Sequence, residues 1–252
     1  MFAQERFQTI DRLLQRKHRL SVRALQQTLR ISSATLRRDL AELEKERRVI
    51  RVHGGVVHPD YLREEPNFDQ KASLRAGVKG KIAQAAAALI PDHATVFIDA
   101  GTTCLEAGRL LGERKNLTLI TNSVPLTQVL ASAKARVLCL GGELRRISGA
   151  LVGSFALSWL ESLRAEWALI GASGLGLEEG ISTTELSEAA IKRQFLARAP
   201  KKVLLADSLK WNKTSTIQFA EWCQFDFWIT DPGLSDSAAR AIRRRGPRVT
   251  LV

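Results

Sequence analysis

A chain of 252 residues has room for one large domain, or for a small one beside a medium one, each with a packed core. Its formal charge of +12 is unevenly placed. Residues 1–58 hold 13 Lys and Arg against 6 Asp and Glu, residues 59–239 hold 20 of each, and residues 240–252 add five arginines and no acid. Basicity confined to the ends points to a polyanionic partner for one part of the molecule. With no apolar signal core and no run approaching ~18 apolar residues, the expectation is a cytoplasmic protein that neither enters nor crosses a membrane. Cys104, Cys139 and Cys223 have no zinc spacing and form no C-x-x-C, so they read as reduced and mostly packing residues, with no metal and no cofactor.

Phe2 to Lys17 reads as a helix with Phe7, Ile10, Leu13 and Leu14 on one face. From Arg19 to Val57 the pattern is a winged helix-turn-helix. Ser21 caps a short helix carrying Leu25 and Leu29, and Ser32 caps a second helix running from Ala34 to about Glu46. Leu36, Leu40 and Leu43 form its apolar stripe. Ala34, Arg38, Ala41 and Lys45 point away, flanked by Thr35 and Arg37, with Ser33 at the helix start. A small, hydroxylated and basic face suits the major groove of double-stranded DNA. Val49 to Val52 and Val56 to His58, around His53-Gly54-Gly55, make a hairpin for the wing, which brings Arg51 and His53 to the same partner. Arg23, in the first turn of the short helix, opposes the helix dipole; it either meets a phosphate or faces solvent.

Residues 59–76, with Pro59, Asp60, Pro66 and Asn67, read as a linker. An alanine-rich helix follows over Val78–Leu89, and then apolar strands alternate with helices. The strands are Thr95–Ile98, Leu117–Ile120, Arg136–Leu140, Trp167–Ile170, Lys202–Ala206, Phe225–Thr230 and Arg248–Leu251. The helices are Cys104–Leu111, Val124–Ala133, Gly153–Leu163, Glu185–Arg198 and Ser235–Arg244. Apolar strands alternating with helices predict an α/β domain over residues 77–252, its mostly parallel sheet covered on both faces. The arginines at 240, 243, 244, 245 and 248 are either a second phosphate-seeking patch or the solvated end of a terminal helix.

Ligands of such sheets bind at the carboxyl ends of the strands. There the sequence places Asp99-Ala100-Gly101-Thr102-Thr103, Thr121-Asn122-Ser123, Gly141-Gly142-Glu143, Gly171-Ala172-Ser173-Gly174 and Asp207-Ser208-Leu209-Lys210. Gly101, Thr102 and Thr103 at a helix start offer N–H groups, hydroxyls and a dipole to a phosphate, although turns of this composition are often only turns. Asp99 and Asp207 can accept from hydroxyls, and Lys210 supplies a cation. The inventory fits a phosphorylated sugar or polyol. Lys192 reads as the partner of Glu188 one turn before it. An enzyme such as a sugar-phosphate isomerase is the alternative. It would nominate Asp99, Glu143 or Asp207, although no close carboxylate pair sits on one strand-end loop; Glu178, Glu179 and Glu185 lie on a segment that can reach the pocket, so the sequence leaves activity open.

Ser32-x-x-Thr35-Leu36-Arg37-Arg38-Asp39-Leu40 with Arg51-Val52-His53-Gly54-Gly55 resembles the signature of the deoxyribose-operon-repressor (DeoR) family, whose helix-turn-helix maps onto Leu20–Leu40. The order IDAGTT, TNS, LGGELR, GASG, EAAIKR, ADSLK, ITD is similar to that family's effector domain. The resemblance spans about residues 2–232, and GGELRRISGALVG is similar to the glycerol-3-phosphate-responsive members. It implies a transcriptional repressor of carbohydrate genes, a homo-oligomer with a sensor related in fold to ribose-5-phosphate isomerase. It also implies an effector site lined by Asp99, Gly101, Thr102 and Thr103, with Asn122, Gly141, Gly142 and Lys210 around it. Two departures stand out. Arg23 and Ala24 replace acidic residues usual in the family, and Leu209 and Trp211 replace the serine and phenylalanine that flank its lysine.

Overall fold

The computed structural model describes residues 3–17, 19–29, 31–46, 48–52, 55–57 and 66–252, without the side chains of residues 15–17, 19, 23, 52 and 57. Two compact units divide the chain at residue 65.

The first unit runs α1 (Ala3–Lys17), β1 (Arg19–Ser21), α2 (Val22–Leu29), α3 (Ser33–Lys45), β2 (Ile50–Val52) and β3 (Gly55–Val57). Both expected caps form: Ala24 N–H donates to Ser21 Oγ at 3.1 Å and Thr35 N–H to Ser32 Oγ at 3.2 Å. Each satisfies an amide that the first helical turn would leave open. Leu36, Leu40 and Leu43 of α3 are buried with Ile10, Leu14, Leu25 and Leu29. Each such side chain contributes about 1.5–3 kcal/mol by leaving water. Asp39, also buried, takes a two-pronged ion pair from Arg6 at 2.6 and 2.8 Å, which fixes α3 on α1. The wing has one strand more than the sequence pattern showed. β1 pairs antiparallel with β3, which pairs with β2, giving the order β1-β3-β2. Three residues without alternation are too short to betray a strand. His53 and Gly54, expected at the wing turn, lie outside the described residues.

The second unit begins inside the stretch read as linker. Helix α4 (Phe68–Ser73) carries a reciprocal cap between Asn67 and Gln70, so residues 66–75 belong to this unit. There follow α5 (Ala76–Leu89), β4 (Thr95–Ile98), α6 (Thr102–Gly112), β5 (Thr118–Thr121), α7 (Val124–Val129) and β6 (Arg136–Cys139). Next come β7 (Glu143–Arg145), β8 (Ala150–Val152), α8 (Gly153–Ser162), β9 (Trp167–Gly171), β10 (Gly174–Gly176) and β11 (Gly180–Thr183). The chain ends with α9 (Leu186–Arg198), β12 (Lys201–Leu205), β13 (Ile217–Ala220), β14 (Phe227–Thr230), α10 (Asp236–Arg243) and β15 (Arg248–Leu251).

All seven long strands expected from the sequence form one parallel sheet, ordered β15-β14-β12-β9-β4-β5-β6. One apolar cluster, with Phe97 stacked on Phe195 at 4.7 Å, packs on one set of elements, and a second, with Ile82, Ile98 and Leu111, on the other. The chain moves outward from β4 to β6 and then returns to lay β9 against β4, so the order reverses between β4 and β9. A crevice opens at the carboxyl ends of the strands where an order reverses. Two small antiparallel additions were not read from the sequence: the hairpin β7–β8 and the sheet β10-β11-β13. Their strands are three or four residues long, and β10 and β11 also contain glycine, so no alternation is readable. Of the cysteines, only Cys104 is a packing residue, and burial pushes its thiol up; Cys139 and Cys223 are exposed. The arginines after 239 end α10 and open β15, where Arg243 donates to Val249 O at 3.1 Å. Among the described residues no helix is long and apolar enough to cross a membrane.

Gly55 lies where β3 crosses β1. A Cβ there would stand 2.4 Å from Leu20 O, a backbone atom that cannot swing aside. Gly55→Ala should therefore lift β3 off β1 and cost about 1–3 kcal/mol of stability. Urea unfolding checks this; a change under about 0.5 kcal/mol would contradict the close approach.

Candidate functional site

On the first unit, α3 turns Ser33, Ala34, Arg37 and Arg38 to solvent. Among the described residues neither Arg37 nor Arg38 has a hydrogen-bond or ion-pair partner, so both guanidinium groups are available. Thr35 is half-buried, and its hydroxyl is used in the cap, 2.9 Å from Ser32 Oγ. Arg51 is exposed on β2; its guanidinium stands 3.9 Å from Glu44, which also accepts from the Arg51 N–H at 3.3 Å. Arg23 lies in the first turn of α2, its side chain outside the description, as is His53.

On the second unit, a cleft of about 230 Å³ lies at the carboxyl ends of β4, β9 and β12, where the strand order reverses. Asp99, Gly101, Thr102, Thr103, Asn122 and Lys210 all line it. Gly141 and Gly142 do not. Gly142 has a φ of 137°, and a Cβ on it would meet Val152 O at 2.4 Å, so its role is to let the β7–β8 hairpin close.

The floor is built on a buried ion pair. Lys192 of α9 meets Asp99 at the end of β4 and also donates to Gly171 O, at the end of β9, at 3.2 Å. Gly171 N–H donates to Asp99 Oδ2 at 3.0 Å. One carboxylate thus ties together the two strands between which the order reverses. Burial works against the Lys192 charge, but Asp99 and, further off, Glu188 outweigh it and hold its pKa above the ordinary lysine value. The expected pair of Lys192 with Glu188 is therefore corrected. Glu188 takes Arg145 from the hairpin at 3.0 Å, and Asp99, buried deeper, takes the lysine.

Beside this floor, Asn122 is 1% exposed and donates to Leu151 O at 3.2 Å, while its Oδ1 has no partner in the described structure. A buried acceptor left open costs about 1–3 kcal/mol unless a donor reaches it. Opposite, α6 starts at Gly101 without a side-chain cap, and Gly101, Thr102 and Thr103 face the cleft. Cations line the same cleft: Lys210, and also Lys71, Arg75, Lys79 and Lys213, which the sequence reading missed. Lys79 is 6% exposed; burial, and then the nearby Lys210 charge, lower its pKa, with Asp207 opposing. A signal for it existed. Lys79, Ile82, Ala83 and Ala86 share the buried stripe of α5, and a lysine in an apolar stripe is there for a partner. Arg75 holds a left-handed backbone (φ 55°) and bridges Asp207 at 3.1 Å and Asp231 at 2.8 Å. Against the cost of burial, hydrogen bonds from Ser208 and Arg75 bring the Asp231 carboxyl down to about 2. Trp211, where the family has phenylalanine, packs on Trp222 and Trp228 at 6.2 and 6.0 Å, leaving Leu209 exposed at the cleft mouth.

A family model described as the DeoR-like helix-turn-helix domain matches residues 6–61, and one described as the DeoR C terminal sensor domain matches residues 75–232. The chain belongs to the DeoR family. It is a DNA-binding transcriptional regulator with a C-terminal sensor domain. The regulator GlpR of Haloferax volcanii is 34% identical over 100% of this chain and 98% of its own. An uncharacterized HTH-type transcriptional regulator of Haemophilus influenzae is 30% identical, with the same coverage of both chains. The repressor GlcR of Bacillus subtilis is 32% identical over 92% of this chain and 89% of its own. Among solved structures, ribose 5-phosphate isomerase A of Neisseria gonorrhoeae overlaps 55% of this chain and 54% of its own, with a TM-score of 0.40 and 16% identity. The α/β class of this regulator rests on the strand register above, not on that overlap.

Removing one partner of a buried ion pair strands the other charge. Lys192→Met should cost about 3–5 kcal/mol, and the double variant Asp99→Asn with Lys192→Met should recover most of it. Urea unfolding of both variants checks this, and a double variant no more stable than the single one would contradict the pairing.

Proposed function

We propose that this DeoR-family regulator represses carbohydrate genes by holding operator DNA through α3 and the wing, and that a phosphorylated sugar or polyol in the cleft releases it. The observation that carries the reading is a cleft lined by both kinds of group on a chain that also bears a DNA-binding unit. An uncapped helix start, Lys79 and Lys210 in its lining match a phosphate dianion. Asn122 Oδ1 and the hydroxyls of Ser173 and Thr183 in the same lining match ligand hydroxyls. Names of relatives support the carbohydrate part: one is the lactose phosphotransferase system repressor of Streptococcus mutans, another the putative aga operon transcriptional repressor of Escherichia coli O157:H7.

Binding is favoured over turnover by the state of the carboxylates. A base for isomerisation must be free to take a proton. Asp99 is held by Lys192, and Glu188 by Arg145. Two or more copies present their DNA-binding units at operator spacing. The cleft wall includes Phe68, Lys71, Leu74 and Arg75, the segment next in sequence to the DNA-binding unit, so ligand and connection share one element. A coupling of ~1–3 kcal/mol between the sites gives a ~5–150-fold switch.

Arg38→Ala should weaken specific operator binding by about 1–3 kcal/mol and relax discrimination at one base pair, with melting unchanged. Gel-shift titration against operator variants checks it; unchanged affinity would remove Arg38 from the base-reading face. Arg37→Ala and Arg51→Ala should instead weaken all sequences alike and lower the salt slope by about 1 each.

For the cleft, operator release is titrated with sugar and polyol phosphates and with their unphosphorylated forms. Lys210→Ala should keep operator affinity and raise the effector needed by ~10–100-fold, losing the preference for phosphorylated ligands. Asn122→Ala should weaken both forms alike. A parent protein that responds equally to unphosphorylated ligands would defeat the phosphate assignment.

A further inference from the structure

Helix α8 buries Ala156 and Leu160 against its own unit and presents Phe155 and Trp159 to solvent, 74% and 59% exposed. Leu144, 47% exposed, stands on the adjoining strand β7, and α8 packs beside both strands of that hairpin. Ser154, Ser158 and Ser162 share the exposed side of the helix. No charged residue occurs from Ile147 to Leu160, while Arg146, Glu143 and Glu161 flank the stretch. Two exposed aromatics one turn apart, on a stretch without charge that Glu161 closes in the last turn of the helix, have the make-up of an interface core with its polar rim.

We propose that this face is where a second copy of the chain docks, the two α8 helices crossing about a twofold axis. The inference deepens the reading of a regulator that acts as paired copies, and it names the surface. Three arguments select another copy over a different partner. An uncharged patch complements itself, whereas a peptide, nucleic acid or anionic surface would be selected by a charge that this face lacks. Phe155 and Trp159 sit at i and i+4, so a twofold can bring each aromatic of one helix beside the other aromatic of its mate, in reach of offset stacking. The apolar area is also about right. The three side chains offer roughly 300 Å² per copy, so two copies supply about half of the ~1,200 Å² of a small stable interface, and the serines and flanking charges would form its rim.

The same hairpin faces the cleft. Ser148 and Ala150 line it, and Arg145 reaches across to Glu188. Ligand contacts on one side of β7–β8 and the second copy on the other therefore act on a single element.

The experiment is sedimentation of the full chain over a concentration series, for the parent and for Phe155→Ser with Trp159→Ser. The double variant should keep its melting curve and its effector binding while its self-association weakens at least ~30-fold. Parental assembly in a folded double variant overturns the proposal. A second measurement covers a variant that misfolds. In a Cys139→Ser, Cys223→Ser background, Ser158→Cys should be joined to a second copy by a short bis-maleimide, and Ser237→Cys, equally exposed on α10, should not. Linking at both positions alike, or at Ser237 alone, overturns it. None of these readouts involves a sugar phosphate, so the effector assignment can fail while this one stands.

Discussion

A lysine can stay charged inside a protein only where a carboxylate meets it, and the pair of Lys192 with Asp99 sets the geometry of the whole sensor unit. Asp99 ends β4, Gly171 ends β9, and Lys192 comes from α9; the three are held within hydrogen-bond distance of one another. Those are the two strands between which the sheet reverses its order; their backbone pairing ends at Asp99 N–H on Leu169 O, 3.0 Å, and the ion pair carries the hold beyond it. Gly171 must be small, since a Cβ on it would lie 3.2 Å from Asp99 Oδ2. The direction in which α6 leaves β4, and hence the aim of its open N–H groups, follows from the turn that Asp99 begins.

With the floor fixed, the rest of the cleft sorts by charge. The carboxylates around it are all engaged: Asp99 by Lys192, Glu188 by Arg145, Asp207 and Asp231 by Arg75. Among the lysines, Lys79 donates to Lys71 O, and burial, with Lys210 nearby, lowers its pKa against the pull of Asp207. At Arg75 a left-handed backbone costs a non-glycine residue ~1–2 kcal/mol, and two carboxylates at 3.1 and 2.8 Å offset it. The ion pairs thereby decide where α4 ends and α5 begins.

Periodicity made the DNA-binding unit and the seven long strands legible, because each buries an apolar stripe or run of standard length. Short strands escaped, since three residues of β1 or of β7 carry no period. The residues at the strand ends were legible as a chemical inventory, and Asp99, Thr102, Thr103, Asn122 and Lys210 do meet in one cleft. Which of them pair with one another was not. Local spacing suggested Lys192 with Glu188, yet a buried charge takes the partner that shares its burial, and that partner lies 93 residues away in sequence. Lys79 and Arg75 were missed because cations near a helix start are usually solvated. The α5 stripe contained the contrary signal.

The charge distribution bears on assembly as well as on DNA. Residues 1–58 carry the basic excess, and two such units held close in the absence of DNA repel one another within a Debye length of ~10 Å. Phosphates remove that repulsion when operator is present. The proposed association of copies, with and without DNA, is then best held elsewhere, on a surface without net charge. Residues 59–239 balance 20 cations with 20 anions, and within them the stretch from Ile147 to Leu160, most of α8, has none of either. A pairing surface there does not oppose the electrostatics of the DNA-binding units. It adjoins the hairpin that walls the cleft, so a ligand that shifts the hairpin can change how two copies present their helices without touching DNA itself.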